Sequence, residues 1–191
     1  MKLVILPSPG LALAAGIFLA TPAFAVVTTT DSFGSGANAL TMDFVTIGNA
    51  GNAADTTGAP NPAGSVSYTY RMSTYEMRVD MVAKANAAGG LGNSYTSRTV
   101  DKPATSVSWN EAARYVNWLN VSTGYAPAYK FSLQPGQGGY SVNASILLWI
   151  SGDAGYDITN PFRNSNARYF LPSENEWYKA TYYSSSGTYY N

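Results

Sequence analysis

Ser173, Glu174 and Glu176 sit in the densest run of functional side chains in the chain, Arg168-Tyr-Phe-Leu-Pro-Ser-Glu-Asn-Glu-Trp-Tyr-Lys-Ala-Thr181. Two carboxylates beside a hydroxyl are the raw material of general acid–base catalysis. Their spacing argues against it. Residues two apart on a helix point in different directions. Ser173 three residues before Glu176 is instead the spacing of a capping box, in which hydroxyl and carboxylate close the free amides of a starting helix. Arg168 is expected to pair with Glu174 or Glu176, or with a neighbouring loop, as a structural ion pair.

Three tryptophans are candidates for stacking on a sugar. Trp109 and Trp177 fall in the first turn of capped helices, where an aromatic commonly plugs a core, so both are expected inside. Trp118 lies off the main apolar face of its helix and is the expected exposed binding residue. Asn49, Asn52 and Asp55 offer oxygen ligands for calcium, but without the carboxylate density of a calcium loop they predict an Asx-turn scaffold.

Composition excludes more than these groups add. There is no cysteine and no histidine. That removes a thiolate nucleophile, an imidazole base, a Ser-His triad, and nitrogen or sulfur sites for zinc, copper or non-haem iron. Oxygen-ligated calcium or magnesium, carboxylate chemistry and binding remain. A formal net charge of zero gives no electrostatic case for nucleic acid or an anionic membrane.

The elements that must position these residues begin after a leader. Residues 1–25 read as a secretory signal peptide: Lys2, an apolar run from Leu11 to Ala20, and Ala23-Phe24-Ala25 as the cleavage site. The run falls short of the roughly 20 residues that span a bilayer, and nothing later reaches that length. Residues 26–40, rich in Thr, Ser and Gly, predict a flexible lead-in, and 41–191 a single domain. Residues 41–47 alternate as a strand with Met42 and Phe44 inward; Val66, Tyr68, Tyr70 and Met72 alternate as a second, reaching about Tyr75. A helix follows over 79–88, ended by Gly89-Gly90. The clearest helix starts at Ser108, boxed by Glu111, with Trp109, Ala112, Ala113 and Val116 on one face and Gly124 as its stop. Short strands are expected over 129–133 and 144–150, the latter including the buried run Ile146-Leu-Leu-Trp-Ile150, and a polar loop over 153–166. Tyr182, Tyr183, Tyr189 and Tyr190 are expected to belong to a core lacking its other wall.

Two ordered segments carry a resemblance. Pro103 with Val107-Ser108-Trp109-Asn110-Glu111-Ala112, and Arg168 with Leu171-Pro172-Ser173-Glu174-Asn175-Glu176-Trp177, are similar to motifs of the formylglycine-generating-enzyme, or sulfatase-modifying factor, family. Tyr75-Glu76-Met77-Arg78 stands for a third motif, with Arg78 where the family has a helix-capping Thr. The Gly- and Asn-rich run from Gly48 to Asp55 resembles exported bacterial members that often bear a sorting tail. The resemblance implies an α+β, loop-rich fold of C-type-lectin-like topology, here its amino-terminal portion and incomplete at the C-terminal end. It implies oxidation of a sulfatase cysteine to formylglycine, with calcium and copper in the complete domain. The cysteines, the calcium loops and the Gly-Asn-Val-x-Glu-Trp and Arg-Gly-Gly-Ser/Ala-Trp segments of the family are absent here. So is the His-x-x-x-His-x-Glu triad of related iron enzymes. No catalytic, cofactor or metal residue is therefore expected in this chain. The expectations are an exported domain, periplasmic, cell-surface or extracellular, non-catalytic by itself, or alternatively a binding module for a protein or glycan at the cell surface. In the latter case Trp118 and the loops 48–64 and 153–166 would carry binding.

Overall fold

The computed structural model describes residues 4–5, 28–96 and 98–190. The expected leader therefore lies outside the described residues, apart from Val4–Ile5. The elements are mixed, and the fold class is α+β. Strands β1 (Val4–Ile5), β2 (Thr28–Phe33), β3 (Leu40–Ile47), β4 (Tyr70–Ser73) and β7 (Tyr169–Phe170) form one antiparallel sheet in the order β2-β3-β4-β1-β7. β5 (Lys130–Phe131) and β6 (Ile146–Leu147) pair apart from it.

β3 shows why the sheet forms. Leu40, Met42 and Phe44 are buried while Thr41 and Asp43 are exposed, the period of two that a half-buried strand requires. Its partner β2 corrects the reading of 26–40 as a flexible arm. β2 runs beside β3 from Thr28↔Val45 to Phe33↔Leu40, and Phe33 is buried in the core. The polar residues that suggested flexibility are those of an edge strand, and Thr29 and Asp31 both accept hydrogen bonds from Arg71 on β4. β4 is shorter than its sequence alternation. Val66, Tyr70 and Met72 are buried as expected, but before Tyr70 the ladder gives way to Asn52, whose side chain accepts from the Val66 amide.

Helix α1 (Val79–Gly89) ends where Gly90 takes a left-handed backbone, φ 62°. Arg78 at its start supplies no side-chain cap. The first amides, Val79 and Asp80, donate instead to the carbonyls of Lys102 and Val100, and the Arg78 guanidinium grips the Asp80 carboxylate at 2.9 and 3.0 Å. Helix α2 (Trp109–Ser122) packs Ala112, Ala113, Tyr115, Val116 and Leu119 into the main core with Phe33, Met42, Phe44 and Phe170. It is buried on almost every side. Asn120, fully buried, ties it to the sheet: its amide donates to the Tyr169 carbonyl at 2.9 Å, and its oxygen accepts from the Arg168 and Tyr169 amides.

Helix α3 (Glu174–Tyr182) completes the frame. Two further expectations fail beside it. Ile146-Leu-Leu-Trp-Ile150 is not a buried strand: only Ile146–Leu147 pairs, and Leu147, Leu148 and Ile150 are exposed. The tyrosine cluster does have a second wall. Tyr189 packs tilted against Tyr178 and edge-on against Tyr183, and its hydroxyl accepts from Asn52 at 2.6 Å, so the loop from Asn49 to Gly64 closes over it. A Cβ on Gly64 would lie 2.5 Å from that hydroxyl, which is why glycine stands there.

Candidate functional site

Both capping boxes are complete. Ser108 Oγ accepts from the Glu111 amide at 3.3 Å while Glu111 accepts from the Ser108 amide at 2.7 Å; for Ser173 and Glu176 the same pair of bonds measures 3.3 and 2.5 Å. The carboxylates are thereby committed. Glu111 also takes the amide and hydroxyl of Ser94, and Glu176 accepts from the Tyr68 hydroxyl at 2.7 Å. Glu174 is exposed and joins none of this, so the two glutamates do not form an acid–base pair.

Of the partners expected for Arg168, the glutamates are not met and the neighbouring loop is. Arg163, not Arg168, meets Glu176, at 2.9 and 3.1 Å, and also donates to the Leu171 carbonyl. Arg168 turns the other way and donates to the Tyr125 hydroxyl at 2.7 Å. β7 explains the difference. Tyr169 and Phe170 are strand residues separating Arg168 from α3, whereas the loop before β7 folds Arg163 back over it. Burial pushes the Glu176 carboxyl upward, but Arg163, the Ser173 amide and Tyr68 outweigh that and hold it below the ordinary carboxylate range.

The tryptophans exchange places relative to expectation. Trp109 is 49% and Trp177 43% exposed, each resting edge-on against one tyrosine, Tyr129 and Tyr182 respectively. Helix direction is the reason. In both boxes the glutamate at the third helical position turns inward to its bonds, leaving the aromatic in the same first turn on the outer side. Trp118 is 9% exposed, clamped by Gly34 and Gly89, where an added Cβ would meet its ring at 3.3 and 2.7 Å. It lines an apolar cleft of about 950 Å³ with Leu91, Val121 and Pro135, and is not the exposed platform it was expected to be.

Neither family metal has a fitting place in these residues. Among the described residues no group of three His, Cys, Asp or Glu side chains can hold an ion. Asp55 accepts from the Thr57 amide and hydroxyl and from Tyr178, and Asn52 donates to the Gly64 carbonyl. Only the Thr57 bonds belong to a turn; with the long-range bond from Tyr178 they engage both Asp55 oxygens. Copper would require sulfur or nitrogen donors, and the sequence has neither Cys nor His.

The polar groups that do converge lie in a second cleft, of about 850 Å³. Three guanidiniums line it. Arg71 is neutralised by Asp31 and Arg163 by Glu176, both through paired bonds. Among the described residues the Arg168 side chain has no carboxylate at ion-pair distance, although Asp31 favours its charge from farther off; it sits over the Tyr125 ring and donates to that phenol. The loop 153–166 supplies the facing wall through Asp157, Thr159, Asn160 and Asn166. Asp157 Oδ1 accepts from the Thr159 amide and hydroxyl at 2.8 and 2.7 Å, and these bonds, with a backbone bond from Asn160, lower its pKa.

A family model described as the sulfatase-modifying factor enzyme 1-like domain matches residues 38–191. The chain belongs to this family. No curated protein and no solved structure matches it. Within the sulfatase-modifying factor segment the two quoted motifs are both helix starts, with Ala112 and Leu171 buried beneath them and Pro172 half-buried before Ser173. Sequence reasoning missed Arg163, which holds the start of α3, and Asn120, which ties the C-terminal end of α2 to β7. Nothing in the local pattern distinguishes Arg163 from other loop cations. Asn120, by contrast, is a polar residue one position beyond the apolar stripe of a helix, and that signal was present.

Proposed function

We propose that this chain is an exported sulfatase-modifying-factor-like domain, of C-type-lectin-like topology, that does not itself oxidise a sulfatase cysteine to formylglycine. One observation carries the reading: across all 191 residues there is neither cysteine nor histidine. The family reaction needs a thiolate pair of low pKa, and no other side chain supplies that nucleophile or a soft copper ligand. Within the two quoted motifs Glu111 and Glu176 are consumed as helix caps, and Glu174 stands apart from them, exposed. The test is incubation of the purified chain with copper, oxygen and a sulfatase-motif peptide, read by mass spectrometry. No conversion is expected; robust copper-dependent turnover would overturn the reading. Export is checked by amino-terminal sequencing of the secreted form, expected to begin at Val26.

A second reading is favoured by the arginine-lined cleft. Its wall is the loop 153–166, and a rigid scaffold presenting a polar loop over a cation that has no ion-pair partner among the described residues is a recognition surface. Under that reading the domain is a binding module at the cell surface, and glycan screening with and without calcium tests it. Absence of any bound glycan or protein partner would count decisively against it.

A further inference from the structure

The cleft at Arg168 and Asp157 has a chemistry narrower than generic binding. Of its three guanidiniums, two are already paired at 2.8 to 3.2 Å with Asp31 and Glu176 and have no charge left to offer. Arg168 is half-buried, oriented by the Tyr125 hydroxyl and ring, and fixed at its backbone because its amide donates to the buried Asn120. Its free donors therefore face the cleft from a rigid strand boundary. Asp157 lines the same cleft and forms no ion pair with Arg168. Its Oδ1 is locked into a turn by Thr159, and with about four lone-pair sites the carboxylate can still accept a further hydrogen bond.

A fixed cation and a fixed anion held apart in one cleft select a ligand with complementary ends. A phosphate or other dianion would meet Asp157 with repulsion, and a plain cation would meet Arg168. A sugar ring bearing one carboxylate and several hydroxyls matches both, the carboxylate accepting from Arg168 and a hydroxyl donating to Asp157. The remaining lining, Thr69, Thr159, Asn160 and Asn166 with the Tyr125 ring, is of the kind that hydrogen-bonds and stacks on sugars.

We propose that this cleft binds a uronic-acid-containing oligosaccharide, with Arg168 holding the carboxylate and Asp157 a ring hydroxyl. The proposal rests on the binding-module reading and narrows it to one ligand class; it needs no calcium.

The test uses the full chain and a glucuronosyl-xylose disaccharide, which carries one carboxylate, with its neutral methyl ester and a carrageenan-derived sulfated oligosaccharide as comparisons, by titration calorimetry in low and high salt. The uronate disaccharide is expected to bind saturably, the methyl ester about tenfold or more weaker, since a charge-assisted hydrogen bond is lost, and affinity to fall as salt rises. Arg168→Gln should abolish measurable binding. Thr69→Glu, at an exposed position with no side-chain partner, places a carboxylate on the cleft wall and should do the same while thermal unfolding is unchanged. Equal binding of ester and acid, binding of the sulfated sugar alone, or no uronate binding in the millimolar range overturns the proposal. Capture of a neutral glycan would then leave the broader binding-module reading standing, whereas no glycan or protein partner at all removes both.

Discussion

Glu176 joins three parts of the molecule through one carboxylate: the start of α3, the loop carrying Arg163, and Tyr68 ahead of β4. It has no solvent exposure, and the Arg163 side chain has 14%. Removing one member of such a pair leaves the other charge buried, at a cost of about 3–5 kcal/mol. Glu176→Gln, which keeps the cap geometry, and Arg163→Met are each expected to lower urea-unfolding stability by about that amount. Arg168→Gln should change it by less than about 1 kcal/mol, because only a part-exposed contact to a phenol is lost. The direction with pH follows from the lowered Glu176 pKa. A group whose folded pKa is depressed contributes stability that is present above its unfolded pKa, about 4.3, and lost as pH falls through the folded value. Unfolding midpoints in urea are therefore expected to be flat above about pH 5 and to drop below it. The drop should shrink in Glu176→Gln without vanishing, since Asp80 and Asp153 are lowered by Arg78 and Lys130 in the same sense.

At the scale of elements, local signals with a fixed spacing were legible and long-range ones were not. The two capping boxes, α1 with its glycine stop, and the inward face of β3 are written in intervals of two, three and four residues. Ser108→Ala and Ser173→Ala are each expected to cost about 1 kcal/mol, measurable as a shift in urea midpoint with unchanged slope. Missed features are those decided by a distant partner. β2 looks like an arm because an edge strand can be polar; only its pairing with β3 and the burial of Phe33 reveal it. Phe33 packs edge-to-face on Tyr169, ring centres 5.0 Å apart. Phe33→Ala should therefore destabilise by about 3–5 kcal/mol, where a flexible arm would show no change. In the candidate site, the loop 153–166 was recognisable as polar, but the switch of ion-pair partner from Arg168 to Arg163 was not. It depends on β7 standing between Arg168 and α3, and a two-residue strand leaves almost no periodic trace.

For the whole molecule, the pairing of β1 sets export against sheet integrity. Val4–Ile5 lies between β4 and β7, Val4 opposite both Met72 and Phe170. If the leader is removed at Ala25, as proposed, β4 and β7 lose their common partner and each presents unpaired backbone, the kind of edge that recruits another strand. The sheet does not depend on β1 alone. β7 remains tied to α2 through Asn120 and to β2 through the Tyr169 hydroxyl, which donates to Asp31 at 2.9 Å; the Tyr70 hydroxyl on β4 still donates to the Glu176 carbonyl of α3. The chain beginning at Val26 is thus expected to fold, with α2 and α3 retained by circular dichroism, but to associate as its concentration rises. Sedimentation velocity of that chain against the full one separates the outcomes. A processed chain that stays monomeric across the concentration series would mean that β4 and β7 close on each other once β1 is gone, and that the leader contributes nothing lasting to the sheet.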